Sequence, residues 1–303
     1  MSVIPQPDPS VIGTVSTPPF AVLPDPASVF TARAARLGTY AEVSPLKPYL
    51  SFVAGLVDAQ HAILAGLPPV EMPDAEMLAR AASHQMPPLD RTGTTLDDTL
   101  ETTLDALFDA ATQVAMPDEA GEALARVSAA DGAQRAQMVR DVLAHAMPVE
   151  MLAEHIYVAA ALQVHFTRLA AALDAPSLQP VGDGVCPACG GPPVASLIVE
   201  WPNAHGNRFC ACSLCSTLWH YVRIRCCSCG TTKGIGYQEI EQSPGTIKAE
   251  TCDECRTYVK VMYQNKDPAI EPMADDIGTL ALDLMMREGP YRRAAFNPFL
   301  LGY

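Results

Sequence analysis

The sequence predicts a multidomain α plus small β protein: an all-α N-terminal domain, two small β modules in tandem, and a C-terminal helix. Two observations lead to this prediction. Over residues 27–180, apolar residues recur at spacings of three and four, which is the pattern of helices with one buried face. All ten cysteines follow residue 185, where short β-type segments alternate with turn residues.

The cysteines are arranged as a repeated module. Eight of the ten lie in Cys-x-x-Cys pairs, and the spacing C-x2-C-x22-C-x2-C occurs twice, 40 residues apart. The paired residues are Cys186, Cys189, Cys212, Cys215, Cys226, Cys229, Cys252 and Cys255. Four pairs at one repeated spacing indicate a duplicated structural unit.

Metal binding is the chemistry that this spacing favours. A Cys-x-x-Cys turn places two sulfurs on one side of a tight loop, and two such turns form a tetrahedral cage of four sulfurs. Zinc and iron both suit such a cage. The 22 residues between the turns fit a strand, a turn and a returning strand, as in zinc-ribbon and rubredoxin-like modules. We therefore predict two four-cysteine metal sites, each closed within its own module, with pairing across the modules as the alternative.

Two further points about the cysteines bear on this prediction. Disulfides would suit a secreted domain, but the first 26 residues contain no Lys or Arg and no recognisable export signal. Cys210 and Cys227 lie outside the pairs. They are expected to be spare buried cysteines, with a reactive thiol as the alternative.

The composition divides the chain into five segments. The first is predicted to be a flexible Pro-rich arm, and the second a domain of about seven helices joined by short Pro-containing links. The third and fourth are the metal modules, and the fifth is a helix with an apolar tail. The segments are residues 1–26, 27–180, 181–225, 226–266 and 267–303. The last helix of the helical domain is the longest and most apolar, so we expect it at the centre of that domain.

The charge balance limits the class of partner. The net charge is −14, and residues 1–180 carry 9 Lys and Arg against 21 Asp and Glu. Proteins that bind nucleic acid usually carry a strong basic patch, and none is evident, so no nucleic-acid partner is predicted. The absence of a run of about 18 apolar residues predicts no membrane insertion. Thiolate metal sites without an export signal predict a cytoplasmic protein.

No catalytic or cofactor-binding motif is visible outside the cysteines. The chain lacks a nucleophile elbow, a P-loop, a dinucleotide-binding glycine fingerprint and an H-E-x-x-H motif. The histidines do not show the spacing of three or four that a pair of ligands on one helix face needs. The residues themselves therefore give no indication of catalysis.

Together these features resemble a known family. The doubled cysteine module and the preceding helical domain are similar to the formate dehydrogenase accessory proteins of the FdhE family. The same resemblance is carried by the closing residues Asp275-Asp276, Leu282-Asp283, Arg292 and Asn297-Pro298-Phe299. It is also carried by the early stretches Arg33-Ala34-Ala35-Arg36-Leu37, Pro45-Leu46, Tyr49-Leu50-Ser51-Phe52 and Ala59-Gln60. The cysteine pairs are its specific part.

The resemblance implies a cytoplasmic accessory protein, not an enzyme. Such a protein is needed for active formate dehydrogenase and contacts the catalytic subunit of that enzyme before export. It implies that the eight paired cysteines hold two metal ions in rubredoxin-like sites, with iron slightly favoured over zinc. A redox role in maturing the enzyme is one form of this function. The alternatives are a rubredoxin-like electron-transfer protein and a zinc-ribbon regulator, and the existence of a homo-oligomer is left open.

Overall fold

The N-terminal domain is helical. A computed structural model describes residues 17–300 of the chain. Its helices before the cysteine modules are α1 (Pro26–Val43), α2 (Lys47–Ile63), α3 (Ala75–Ser83), α4 (Asp98–Ala111), α5 (Asp118–Ala129), α6 (Gly132–Ala144) and α7 (Leu152–Ala171). Four of these helices begin after an aspartate whose side chain accepts a hydrogen bond from a backbone N–H of the first turn, which caps the helix. The caps are Asp25, Asp74, Asp97 and Asp131.

Helix α7 is the core of this domain. Fifteen of its twenty residues are buried, and α2, α4, α5 and α6 pack against it. A mostly apolar helix with so few exposed residues has to be enclosed by its neighbours, which is why the longest helix takes the central position.

The two cysteine modules share one β-sheet. Its strands are β1 (Ala21–Val22), β2 (Pro193–Ile198), β3 (Arg208–Cys212), β4 (Leu218–Tyr221), β5 (Ile235–Gln238), β6 (Ile247–Cys252), β7 (Thr257–Tyr263) and β8 (Arg292–Arg293). Within each module three strands pair antiparallel, as β2-β3-β4 and β5-β6-β7. The modules join where β2 runs parallel to β7, so the strand order is β1-β4-β3-β2-β7-β6-β5, with β8 beside β7. The modules expected from the sequence as tandem units are therefore continuous with each other.

The end of the predicted N-terminal arm belongs to this sheet. Residues 1–16 lie outside the described part of the chain, but Ala21 and Val22 pair with strand β4. The backbone N–H of His220 also donates to the carbonyl of Phe20 at 2.7 Å. The pairing of Ala21 and Val22 differs from the flexible arm that the proline content suggested. The reason is that β4 offers an unpaired edge, which a local sequence pattern does not show.

The C-terminal segment forms two short helices where the sequence predicted one. They are α8 (Pro272–Gly278) and α9 (Leu280–Arg287). The chain leaves the helical conformation at Thr279, with φ of −112° and ψ of 34°. The ring of Tyr40 packs against Gly278, where an added Cβ would lie 2.5 Å from a ring carbon. A glycine is therefore needed where α1 approaches the end of α8.

A buried set of charges fastens these helices to the sheet. The ammonium of Lys260 on β7 lies 3.3 Å from a carboxylate oxygen of Asp276 and 2.5 Å from one of Asp283. Arg293 also pairs with both carboxylates, and Asn297 donates to Asp276 at 2.9 Å. Because each buried charge has an opposite partner, the network tolerates its low-dielectric surroundings. Among residues 17–300, no helix has the length and apolar character needed to cross a membrane.

Candidate metal centres

The eight paired cysteines come together as two clusters. Site 1 consists of Cys186, Cys189, Cys212 and Cys215, and site 2 consists of Cys226, Cys229, Cys252 and Cys255. Within each cluster the sulfur atoms lie within 4.8 Å of one another. Each module thus closes its own cluster, and no cluster in the described part of the chain mixes the two modules.

Each cluster is built from two turns that the strands bring together. The second turn of each cluster begins at the last residue of a strand, Cys212 on β3 or Cys252 on β6. The first turn is followed by Gly190 or Gly230, with φ of 71° and 74°. Glycine adopts this left-handed conformation without the strain that a side chain would cause.

The spacing of the sulfurs fits a tetrahedral metal ion. In site 1 the Cys186–Cys215 and Cys189–Cys212 sulfur pairs are 3.6 and 3.5 Å apart, and the equivalent pairs of site 2 are 3.8 and 3.7 Å apart. A metal–sulfur distance of about 2.3 Å corresponds to a tetrahedron edge of about 3.8 Å. Backbone N–H groups also point at the sulfurs, as from Gly191 to Cys189 at 3.4 Å. Both clusters could therefore hold zinc or iron, and the geometry does not distinguish these metals.

Burial and the neighbouring cysteines shift the pKa values of three site 1 thiols, raising two and lowering one. Burial raises the pKa of Cys186 and of Cys189 well above the ordinary value. Burial also acts to raise the pKa of Cys212, but hydrogen bonds from its three cysteine neighbours lower it well below that value. A cation would stabilise all four thiolates at once, so metal binding at this cluster is expected to release protons.

Site 1 is enclosed by the helical domain. Its four cysteines are between 0% and 1% exposed. The loop that follows α3 covers the first turn, where the N–H of Leu89 donates to the carbonyl of Ala188 at 3.0 Å. The second turn is held by α7, where Gln163 Nε2 donates to the carbonyl of Ser213 at 2.9 Å.

Two arginines extend this enclosure. The buried Arg33 of α1 pairs with Glu271 at 3.0 Å and donates to Ser216 Oγ, next to site 1, at 3.1 Å. Arg91 lies 2.9 Å from Nε2 of His145, whose ring stacks on Phe296 with the centroids 3.9 Å apart. Burial and the Arg91 guanidinium lower the pKa of His145 to about 4, so its neutral ring accepts this hydrogen bond at pH 7.

Site 2 lies at the open end of the sheet. Cys229 is exposed and Cys255 is half-buried. The strand that follows its first turn, β5, is an edge strand. Val222 and Ile224, in the loop that leads to this turn, are 52% and 66% exposed. A partner or a solute can therefore approach site 2 far more easily than site 1.

Models of three domains match consecutive parts of this chain. They are described as "FdhE, N-terminal" over residues 18–183, "FdhE, central domain" over residues 185–223 and "FdhE, C-terminal domain" over residues 224–300. The chain belongs to the FdhE family. The boundaries between these domains fall close to the edges of the cysteine modules.

Individual FdhE proteins are similar over nearly the whole chain. An FdhE homologue from Rhizobium meliloti is 46% identical over the full length of both chains. One from Stutzerimonas stutzeri is 36% identical, covering 94% of this chain and 93% of the relative. The crystal structure of the FdhE protein from Pseudomonas aeruginosa superposes with a TM-score of 0.82 at 32% identity, covering 94% of this chain and 99% of that one.

Several residues that carried the FdhE resemblance make structural contacts. Arg36 donates to both carboxylate oxygens of Asp275, at 2.9 and 2.7 Å. Gln60 Nε2 donates to the carbonyl of Ala160 at 2.8 Å and to Gln163 Oε1 at 3.1 Å. These contacts join α1 to α8 and α2 to α7, so this part of the resemblance reflects how the domains are fastened together.

The sequence interpretation missed the side chains that surround the clusters. Gln163, Arg33 and Arg208 are almost fully buried, although they are polar or charged. For Gln163 the position within an otherwise apolar segment was the available signal, since a buried polar group needs a specific partner. Cys210 and Cys227 are also buried, and interaction with the Cys210 thiol, followed by burial, raises the pKa of Cys227. This environment favours the interpretation as spare buried cysteines.

Proposed function

We propose that this protein is a cytoplasmic accessory factor for the assembly of active formate dehydrogenase. In this proposal it docks on the catalytic subunit of that enzyme through the helical domain and the two four-cysteine modules. The observation that carries it is the match to FdhE proteins along nearly the whole chain, with both cysteine clusters assembled. An accessory role also suits a chain in which we assign no catalytic residue.

The metal ligands in this proposal are the four cysteines of each site. One ion per site, iron or zinc, would tie two turns of the sheet together, and iron would add a one-electron couple. Such small modules depend on their ion for folding. The metal thus gives the modules the rigidity that a docking surface needs.

Complementation tests the accessory role. The chain is expressed in a bacterium that lacks its own FdhE protein, and formate-dependent dye reduction is measured in extracts. We expect the wild-type chain to restore activity and C226S/C229S to fail. E254A is the matched control, because Glu254 is an exposed residue inside the same cluster's second turn and contributes no thiol. Full activity without the chain, or with C226S/C229S, would contradict the proposal.

Capture of the catalytic subunit tests the docking step. Tagged wild-type chain is expected to retain the formate dehydrogenase catalytic subunit from the same extracts, and C226S/C229S to retain much less. Activity that is restored while the subunit is never retained would contradict direct docking and leave the accessory role standing.

A redox role is the second candidate, and the exposure of Cys229 favours it, since a partner can come close to site 2. Elemental analysis and absorption spectra of protein purified without oxygen decide this question. Two irons with thiolate-to-iron bands that bleach on reduction would support electron transfer during assembly. Two zincs and no colour would support a purely structural role for the ions.

A further inference from the structure

The first turn of site 2, residues 226–229, is held by strands of the first module. The turn 226–229 follows a loop that crosses from β4, and Arg208 of β3 holds this loop. Arg208 Nη1 donates to the carbonyls of Arg223 and Arg225 at 3.3 and 3.1 Å. The second of these carbonyls lies directly before Cys226. The first module therefore fixes the backbone that presents the first two thiols of site 2.

Strand β4 and the linker hold the same turn from the other side. The hydroxyl of Tyr221 lies 2.9 Å from the carbonyl oxygen of Cys226 and 2.7 Å from Asp183 Oδ1. Arg225 pairs with Asp183 at 3.0 Å and donates to the carbonyl of Gly230 at 2.9 Å. The residues on both sides of the turn are thus fastened to parts of the chain that precede the second module.

The two cysteines outside the Cys-x-x-Cys pairs belong to the two parts of the chain that meet here. Cys227 belongs to the turn and Cys210 belongs to β3, and both are buried. Cys210 is two residues from Arg208 on β3, so its side chain lies on the same face of the strand as the guanidinium that holds this loop. The two residues that do not fit the ligand pattern therefore form part of the junction between the modules.

Arg208 also reaches the other half of site 2. Its Nη2 donates to Glu250 Oε1 at 2.8 Å, and Tyr237 donates to Glu250 Oε2 at 3.0 Å. Glu250 lies on β6, the strand that ends at Cys252. Arg208 is 1% exposed, and its planar guanidinium fixes the directions of its hydrogen bonds. One side chain of the first module thus connects the two turns that form site 2.

We propose that Arg208 is a positioning residue for site 2, which holds the turn 226–229 at the distance from β6 at which four sulfurs close a cage. The inference rests on the proposed binding of metal by both clusters. It implies a one-way dependence between the sites. Site 2 needs the folded first module, whereas both turns of site 1 are held by the helical domain.

The variant R208M tests this assignment. Methionine keeps an apolar stem and removes the donors, and R223M is the matched control because Arg223 is exposed on the same loop. Metal content and chelator competition are measured for each full-length protein. We expect R208M to bind metal at site 2 roughly 10- to 100-fold more weakly, which is the usual effect of removing a residue that supports metal ligands. Site 1 should remain fully occupied, and R223M should match the wild type.

Two further variants separate positioning from a general loss of stability. R208M/E250Q removes the carboxylate that R208M leaves without its partner, and we expect the same selective loss at site 2. Adding R208M to C229S/C252S, which lacks site 2, should change the metal content no further.

The alternative outcomes are distinct. Unchanged affinity in R208M, or equal loss of metal from both sites in R208M and R208M/E250Q, would overturn the positioning role. A wild-type chain that binds no metal would overturn the metal-binding proposal itself.

Discussion

Site 1 and site 2 have the same ligands at the same spacing, but they differ in their surroundings. All four thiols of site 1 are buried and its turns are bound by α1, α7 and the loop after α3. Site 2 has an exposed cysteine and an edge strand beside it. The cysteine motif therefore specifies what a site can bind, whereas the packing around the motif determines how accessible and how indispensable the site is.

The difference in surroundings predicts a difference in folding. An ion in site 1 would tie together two turns on which the helical domain packs, while an ion in site 2 would tie two turns at the open end of the sheet. Structural zinc sites contribute about 10–16 kcal/mol of apparent binding free energy, which is comparable to the whole stability of a domain. Loss of site 1 should therefore affect much more of the molecule than loss of site 2.

The largest expected effect comes from removing the ligands. C186S/C189S should lose both metals and unfold the sheet, whereas C226S/C229S should lose one metal and keep the helical domain and site 1 intact. Metal analysis and thermal unfolding by circular dichroism measure both results. Retention of one metal by C186S/C189S would show that the sites are independent and would contradict this difference between them.

A smaller effect is expected for metal release. Site 2 can exchange its ion through local opening at the edge of the sheet, whereas site 1 has to separate from the helices. A chelator in excess should therefore remove one ion per chain at least about tenfold faster than the other. The fast phase should be missing in C226S/C229S, which assigns it to site 2. A single phase for both ions would contradict the difference in accessibility.

The contact between α7 and site 1 predicts a stability change of moderate size. Q163L leaves the carbonyl of Ser213 without its donor in a buried position, which should cost about 1–3 kcal/mol of unfolding free energy. Urea unfolding measures this change, with Q137L as the control because Gln137 is on α6, away from site 1. Equal stability of Q163L and Q137L would show that the enclosure of site 1 does not depend on this bond.

The smallest expected effect is a pH dependence of stability that arises from His145, beside site 1. The pKa of His145 is lowered to about 4 by burial and by Arg91, so the folded protein binds this proton less readily than the unfolded chain does. The contribution of neutral His145 to the free energy of unfolding is complete above about pH 6.5 and is lost as the pH falls toward 4.

Replacing this histidine tests the direction of the effect. H145N should reduce the loss of unfolding free energy between pH 7.5 and 5.5 by about 1 kcal/mol. For each protein this loss is the difference between the unfolding free energies measured with urea at the two pH values. Asparagine suits the left-handed backbone at this position, where φ is 55°. A steeper pH dependence in H145N would contradict the assignment.

The features that were predictable from the sequence are local ones. The cysteine spacing led to two clusters because ligand pairs and the turns between strands are close in sequence. The mostly apolar character of residues 149–173 led to the central helix because such a helix has to be enclosed by its neighbours. The FdhE resemblance depended on the same local motifs.

The features that were not predictable depend on distant partners. The parallel contact of β2 with β7 and the pairing of β1 with β4 join segments that no local pattern relates. The unequal burial of the sites could not be found either, because both modules have the same spacing and differ only in what packs on them. Gly278 was the available sequence sign of the break between α8 and α9. The reason for a glycine at this position is the close approach of the Tyr40 ring, which the sequence does not show.

The pairing of β1 with β4 has a consequence for synthesis on the ribosome. About 200 residues separate these strands, and at roughly 5–20 residues per second β1 waits about 10–40 s for its partner to emerge. Helix α1 follows β1 directly, so the start of the helical domain cannot reach its final position until the first cysteine module has left the exit tunnel. Folding of the nascent chain is therefore expected to finish only when strand β1 and helix α1 pack against the later part of the chain.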